Sequence, residues 1–198
     1  SEKIYKACKE ADSRIEIGSV GAGTGAVVGK LFGARRGTKG GIGYVEKEIN
    51  GVKVGVLSVV NAFGDIKEKG RIIAGTLDED KRLIGTSRLI ETGIVRRIRD
   101  ISIENTTITV ILTEGKLTKR EAYRVGQMAL AGMAEVIDPV WTPYDGDIIV
   151  VLSTGNKRID PIVLGTVSRV MVAESILLAV KEAVSLGGIP AFRDLRGT

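Results

Sequence analysis

Histidine is absent from this sequence of 198 residues. A chain without histidine cannot form a Ser-His-Asp or Cys-His catalytic system, and it lacks the ligand on which zinc hydrolases usually depend. Any enzyme built from it must therefore work with hydroxyls, carboxylates, amides, lysines or a free chain terminus.

Cysteine is almost absent, since Cys8 is the only one. This excludes an internal disulfide and a thiolate metal cluster within one chain, and it fits a reducing compartment. No stretch approaches the roughly 20 uninterrupted apolar residues of a membrane span, and the first residues lack the apolar run of a secretory signal. We therefore expect a soluble cytoplasmic protein with no membrane partner, no metal and no cofactor.

The excess of positive charge is small, with a net charge of +5. Lys and Arg are spread along the chain and interleaved with Asp and Glu, which indicates a solvated surface and argues against a nucleic-acid partner. With 43% hydrophobic and 27% charged residues, the composition is typical of a globular protein. We expect a single domain over residues 1–198.

Three apolar runs predict buried strands. Residues 52–60 are rich in β-branched side chains and are followed by Asn61, and residues 106–113 and 148–152 have the same character. The charged stretch between the first two runs, residues 65–104, is predicted to be a long, partly mobile connection.

Two helices are predicted from their start signals. Thr118 and Glu121 have capping-box spacing, and apolar residues then recur at helical intervals as far as Pro139. Asp160-Pro161 provides an N-cap and a first-turn proline for a second, long amphipathic helix that ends before residues 187–188, both glycine. Together with the strands, these helices predict a layered α/β fold.

The first third of the chain contains a glycine-rich segment, residues 21–25. It departs from the G-x-G-x-x-G spacing of dinucleotide-binding loops, and the following residues 25–31 are one residue short of a phosphate loop. Three interpretations remain open: a nucleotide site, a structural turn, or a wall of an active site that a backbone without Cβ atoms can approach closely.

Six segments, taken in order, resemble one family of self-processing amidohydrolases. The segments are residues 21–25, 39–43, 60–64, 105–108, 117–119 and 145–147. The family includes the L-aminopeptidase/D-esterase, the β-peptidyl aminopeptidases and the nylon-oligomer (6-aminohexanoate oligomer) hydrolase. The resemblance extends from about residue 4 to residue 192.

The resemblance implies an αββα sandwich of the N-terminal-nucleophile kind, made as a precursor and cut between Asn105 and Thr106. Residues 1–105 would then be the C-terminal part of the α chain, and residues 106–198 the β chain with Thr106 as nucleophile. By the same resemblance, Lys39 and Asn61 match the active-site lysine and asparagine. The pair Asp145 and Asp147 is closest to the nylon-oligomer hydrolase branch.

The chemistry of such a threonine is consistent with a chain that lacks histidine. A threonine hydroxyl needs a nearby base, and a terminal α-amine, with an unperturbed pKa of about 7.7 to 8.0, can serve as one. Cleavage before Thr106 therefore creates a nucleophile and a base in one residue. Asn61 would donate to the oxyanion, Asp145 and Asp147 would orient the amine, and Lys39 would tune the electrostatics.

Each of these residues also has an ordinary structural interpretation when taken alone. Asn105-Thr106 reads as the start of a strand and Asp145-Gly-Asp147 as a turn. Lys39 reads as a loop cation, and Asn61 as a hydrogen-bonding residue at a strand end. Trp141 and Tyr144 could line a pocket, although core packing is favoured for both.

The leading hypothesis is an amide or peptide hydrolase acting on small peptides, β-peptides or ω-amino-acid oligomers. A nucleotide- or ligand-binding protein without catalysis and an acetyltransferase on the same scaffold are the alternatives. Members of the family carry further residues before the point where this sequence begins, and these contribute a layer of the fold. Such a segment, as part of the same chain or as a separate one, is thus an expected partner, and the family also implies a tetramer of αβ units.

Overall fold

The structure is a computed structural model, and it describes residues 2–93 and 105–197. The helices are α1 (Glu2–Glu10), α2 (Thr86–Glu91), α3 (Lys119–Val136) and α4 (Pro161–Lys181). The strands are β1 (Val27–Val28), β2 (Thr38–Lys39), β3 (Gly41–Ile49), β4 (Val52–Asn61), β5 (Asp65–Glu68), β6 (Arg71–Ala74), β7 (Thr106–Gly115), β8 (Ile137–Asp138) and β9 (Ile148–Lys157). Short 3-10 turns lie at Gly21–Gly25, Ala34–Arg36 and Phe192–Gly197.

A four-stranded sheet with the order β3-β4-β7-β9 forms the centre of the fold. The first three strands are antiparallel, and β9 runs parallel to β7. Asn50 and Gly51 join β3 to β4 with φ angles of 52° and 77°, which suits a tight hairpin turn. This register places Asn61 opposite Thr106.

Helices α3 and α4 cover one face of this sheet. Helix α4 packs closely on β3, where a Cβ on Gly43 would lie 1.8 Å from the Ser175 carbonyl oxygen. The two helices also pack closely on each other, since a Cβ on Gly132 of α3 would lie 2.1 Å from the Arg169 carbonyl oxygen of α4. The main core therefore lies between this face and the two helices, and its fully buried side chains include Ile111, Met133, Leu164, Met171 and Ile176.

Both predicted helices are confirmed. Thr118 and Glu121 form the capping box of α3, and the Asp160 side chain accepts a hydrogen bond from the Ile162 amide at the start of α4. The predicted amphipathic character of α4 is wrong, since it is apolar around most of its surface and ends at Lys181. By length and composition α4 could also cross a membrane, but here it packs against α3, β3 and β4.

The opposite face of the sheet is apolar and open. Ile108 lies beside Ile148 and Leu112 beside Leu152 in the β7–β9 register, and these four side chains are 41% to 47% exposed. Within residues 2–93 and 105–197, no second layer covers them. The strand predicted at residues 148–152 is thus present, but the prediction that it is buried is wrong, because it is an edge strand with an uncovered face.

Residues 65–93 are more ordered than the predicted connection. They form β5, β6 and α2, and β5 lies between β6 and β8 in a three-stranded sheet. The buried Asp65 carboxylate accepts hydrogen bonds from the Thr76 amide at 2.7 Å and from the amide and hydroxyl of Thr86. One buried carboxylate thus connects β5 with the residues around Thr76 and with the start of α2, and these hydrogen bonds hold the segment together. The rest of the predicted connection, residues 94–104, lies outside the described residues.

Candidate active site

Thr106 lies where the last residue of β4 pairs with the first residue of β7. It is the first residue of β7, it pairs with Asn61 at the end of β4, and it is half-buried on the open face of the sheet. The preceding residue, Asn105, is only 4% exposed and forms a parallel bridge with Asp145. The Asn105–Thr106 peptide bond is thus held between two neighbouring chain segments.

The carbonyl group of Asn105 has two hydrogen-bond donors. Its oxygen accepts from the Gly146 amide at 2.8 Å and from the Thr106 hydroxyl at 2.5 Å. The Asn105 side chain donates to the Tyr144 carbonyl oxygen at 3.0 Å. The loop before β9 therefore holds both the carbonyl and the side chain of Asn105.

The two predicted carboxylates position backbone around this bond. Asp145 accepts from the Phe63 amide at 3.0 Å and from the Thr142 hydroxyl at 2.6 Å. Asp147 accepts from the Thr107 amide at 2.6 Å, directly after the predicted nucleophile. Burial raises the pKa of the Asp147 carboxyl, and the neighbouring Asp145 carboxylate acts in the same direction.

Asn61 contacts the site through both its backbone and its side chain. Its side-chain oxygen accepts from the Val27 amide at 3.1 Å and from the Lys30 ammonium at 2.8 Å, and its carbonyl oxygen accepts from Lys30 at 2.9 Å. These contacts fix the orientation of the Asn61 side-chain amide. Its oxygen faces the Val27 amide and Lys30, and its NH2 group is the part that can donate a hydrogen bond.

Lys30 is the site residue that sequence reasoning missed. It is 2% exposed, and burial lowers its pKa to about 8, while Asp145 and Asp147 act in the opposite direction. A signal was present, because the Gly29-Lys30 pair is what prompted the comparison with a phosphate loop. The structure uses this pair differently: Gly29 has a φ of 69° and packs against the backbone of Gly75, while Lys30 turns towards Asn61.

Lys39 is placed in a different environment from the one expected. Its side chain is buried, it donates to the Thr24 carbonyl oxygen at 2.8 Å, and burial lowers its pKa. The lysine that contacts Asn61 is Lys30, nine positions earlier. Of the six residues predicted for the site, Asn61, Asn105, Thr106, Asp145 and Asp147 come together around the Asn105–Thr106 bond.

The glycine-rich segment, Gly21–Gly25, forms a 3-10 turn that is followed by β1 and not by a helix. The strand-turn-helix arrangement of a dinucleotide site is therefore not formed there. A Cβ on Gly23 would lie 2.8 Å from the Ile42 amide nitrogen, so close packing accounts for this glycine. The next strand, β1, brings the Val27 amide to Asn61 at the edge of the site.

Trp141 and Tyr144 are half-exposed, so the favoured prediction of core packing is wrong for both. Tyr144 stacks at a tilt on Phe63, with 5.5 Å between ring centroids. Trp141 lines a groove of about 670 Å³ between α3 and β9 that reaches Asp147. In the part of the chain that the structure describes, no group of three or more Asp, Glu or Cys side chains is arranged to hold a metal ion.

A comparison with protein families matches residues 1–189 to the family described as Peptidase family S58. The chain belongs to peptidase family S58. Among curated proteins, uncharacterized aminopeptidases of Mycobacterium tuberculosis and Mycobacterium leprae are each 30% identical to it, over 96% and 95% of this chain. The chain spans about 60% and 57% of the length of these two relatives.

Solved structures share the fold of this S58 chain. A Pyrococcus horikoshii protein superposes with a TM-score of 0.66 and 25% identity over 96% of this chain and 52% of its own. A Burkholderia beta-aminopeptidase gives 0.64 and 20% over 97% and 56%. The L-aminopeptidase D-Ala-esterase/amidase of Ochrobactrum anthropi, described as a variant of the Ntn hydrolase fold, gives 0.65 and 20% over 96% and 51%. The predicted α/β fold of the N-terminal-nucleophile kind is thereby confirmed.

Proposed function

We propose that this chain belongs to an amide or peptide hydrolase that cuts itself between Asn105 and Thr106 and then uses Thr106 as its nucleophile. The observation that carries the proposal is the Thr106 hydroxyl, 2.5 Å from the carbonyl oxygen of the residue before it. This hydroxyl lies in a polar site made by Asn61, Asp147 and the loop before β9. Membership of a peptidase family supports the same chemistry.

Self-cleavage would proceed in two steps. The Thr106 Oγ attacks the Asn105 carbonyl carbon, the C–N bond breaks, and the Thr106 nitrogen receives the hydroxyl proton and leaves as a neutral amine, so that an ester joins the two residues. Water then hydrolyses the ester, which gives an Asn105 carboxylate and a free Thr106 hydroxyl. The new α-amine, with an ordinary pKa of about 7.7 to 8.0, becomes the base for later substrates.

We assign Lys30 to the proton transfer in the uncut chain, where this α-amine does not yet exist. Its ammonium contacts Asn61, the register partner of Thr106, and its pKa of about 8 makes the neutral form accessible near neutral pH. A base with a pKa near the working pH is the effective kind. Asn61 then donates its side-chain N–H to the oxyanion of external substrates.

The substrates we propose are small peptides, β-peptides or ω-amino-acid oligomers. A support for this class is that the curated relatives are named as aminopeptidases.

We further propose that a second protein layer covers the open face of the sheet in the assembled enzyme. Apolar side chains that are 41% to 47% exposed in register on two strands form a patch of the kind that protein contacts bury. The longer relatives have residues to supply such a layer. Assembly as a tetramer of cleaved units is part of the same proposal.

The test is intact-mass analysis of the purified protein with N-terminal sequencing. For the printed sequence, cleavage gives pieces of 105 and 93 residues, the second beginning with Thr106. Thr106→Ala should leave one uncut chain without peptidase activity, whereas Thr106→Ser, which keeps a hydroxyl, should still be cut. Persistent cutting of the alanine variant at this bond would overturn the proposal.

A further inference from the structure

The backbone amide of Gly146 donates a hydrogen bond to the Asn105 carbonyl group, which is the group attacked in the proposed self-cleavage. Its nitrogen is 2.8 Å from the Asn105 carbonyl oxygen. Attack on this carbonyl moves negative charge onto that oxygen, so a donor already in place stabilises the tetrahedral intermediate more than the ground state.

The direction of this amide is set by its two neighbours in sequence. Asp145 is held by the Phe63 amide and the Thr142 hydroxyl, and it forms the parallel bridge with Asn105. Asp147 is held by the Thr107 amide. Because the residues on both sides of Gly146 are anchored, its N–H is preorganised towards the Asn105 oxygen and needs no rearrangement during the reaction.

Glycine at this position also leaves space for the nucleophile. A Cβ at residue 146 would lie 3.0 Å from the Thr106 Oγ and 3.7 Å from the Asn105 oxygen. The first distance is shorter than an ordinary van der Waals contact, so a side chain here would displace the hydroxyl from the carbonyl group that it attacks. The φ of Gly146 is not in the left-handed region, so backbone strain is not the reason for glycine.

We propose that the Gly146 N–H is the oxyanion donor for self-cleavage, and that residue 146 is glycine so that the Thr106 hydroxyl can reach the Asn105 carbonyl carbon. The inference rests on the proposed function and adds a backbone group to its machinery. In the step concerned, the Thr106 oxygen forms a bond to the Asn105 carbon and the C=O pair moves to the carbonyl oxygen under the Gly146 N–H. Collapse then breaks the C–N bond, and the Thr106 nitrogen leaves as a neutral amine with the proton that the hydroxyl gave up to Lys30.

Two variants of the intact protein separate the N–H from the missing Cβ. In vitro translation with glycolic acid at position 146 replaces this amide by an ester and exchanges the N–H for an oxygen that cannot donate, without adding a side chain. We expect cleavage of the newly made chain to slow by about 100-fold. Gly146→Ala keeps the N–H and adds the Cβ, and it should slow cleavage by at least about tenfold, because the nucleophile is displaced. The matched control is Gly126→Ala in α3, where the added Cβ meets Val151 at 3.4 Å, an ordinary contact.

The rate of cleavage is followed by mass spectrometry of pulse-labelled chains, and folding by the thermal midpoint of the uncut protein. Hydroxylamine is added to the wild-type and Gly146→Ala chains to trap any ester as a hydroxamate at Asn105. It is left out for the glycolic-acid chain, because it would also cleave the ester introduced at residue 146. Slow cleavage with a normal midpoint and no trapped ester supports the inference, because ester formation is then the impaired step.

Two results would overturn the inference: wild-type cleavage rates in both variants, or accumulation of the trapped ester, which would place the defect in hydrolysis. A wild-type rate in the folded ester variant alone overturns the role of the N–H, and a wild-type rate in Gly146→Ala alone overturns the role of the missing Cβ. Failure of the proposed function gives a different result: in that case Thr106→Ala would still be cut at the Asn105–Thr106 bond.

Discussion

The two faces of the four-stranded sheet differ in what their side chains do. On the face covered by α3 and α4, alternate residues such as Ile111 are fully buried against helices. On the open face lie Thr106 and Asn61 at one end, and apolar side chains such as Leu112 along the rest. Because neighbouring residues of a strand point to opposite faces, one strand serves the core and the candidate site at once.

The largest expected difference between the faces is in stability. Ile111 is 0% exposed and Leu112 is 45% exposed, so Ile111→Ala should lower the free energy of unfolding by about 2–5 kcal/mol, and Leu112→Ala by less than about 1 kcal/mol in the uncovered chain. Urea unfolding of the two variants measures this. Equal losses would mean that the open face is covered when the protein is folded, and would support the second layer proposed above.

The second prediction concerns the site on the open face. The pKa of Lys30 is lowered from 10.5 to about 8, so its proton is lost as the pH rises through about 8. If neutral Lys30 accepts the Thr106 proton, the rate of self-cleavage should rise about tenfold per pH unit below 8 and level off above it. Pulse-labelled uncut chains suit this measurement, because they lack the Thr106 α-amine, which would titrate in the same range.

Lys30→Met is the control for the pH profile and should remove the step at pH 8. A step that survives in this variant would assign the proton transfer to another group.

The lowered pKa of Lys30 also affects folding. Between about pH 8 and 10.5 the unfolded chain binds the Lys30 proton more tightly than the folded chain does. This residue therefore makes the free energy of unfolding rise with pH in that window.

The smallest effect is expected from a polar group on the covered face. Ser175 in α4 contacts the Ser58 hydroxyl at 2.7 Å, and Ser58 also contacts Thr109 at 2.9 Å. The Ser175 hydroxyl also donates to the Val172 carbonyl oxygen at 2.9 Å. Ser175→Ala removes both of its hydrogen bonds and should lower the free energy of unfolding by about 1–2 kcal/mol. The rate of self-cleavage should stay within a factor of two of wild type. A larger change in rate, at unchanged stability, would show that the two faces are coupled.

Local patterns were sufficient to predict much of the fold. The capping box at Thr118 and the Asp160-Pro161 start predicted both long helices, and β-branched runs predicted β4, β7 and β9. The predicted connection after residue 65 was wrong because its structure depends on Asp65, a buried carboxylate whose partners at Thr76 and Thr86 lie 11 and 21 residues away. Composition alone favours solvent for such a charged stretch.

The amino-acid sequence by itself determined which chemistry is open to this protein. Because histidine is absent, the available catalytic system is a hydroxyl nucleophile with an amine or a lysine as its base. The order of the motifs then indicated Thr106, Asn61 and the Asp145–Asp147 pair as the residues of the site. Only the tertiary structure decided that Lys30, and not Lys39, contacts Asn61, and that the Gly146 amide faces the Asn105 carbonyl. The physical reason is that hydrogen bonds depend on distances across strands and loops, and sequence spacing does not contain those distances.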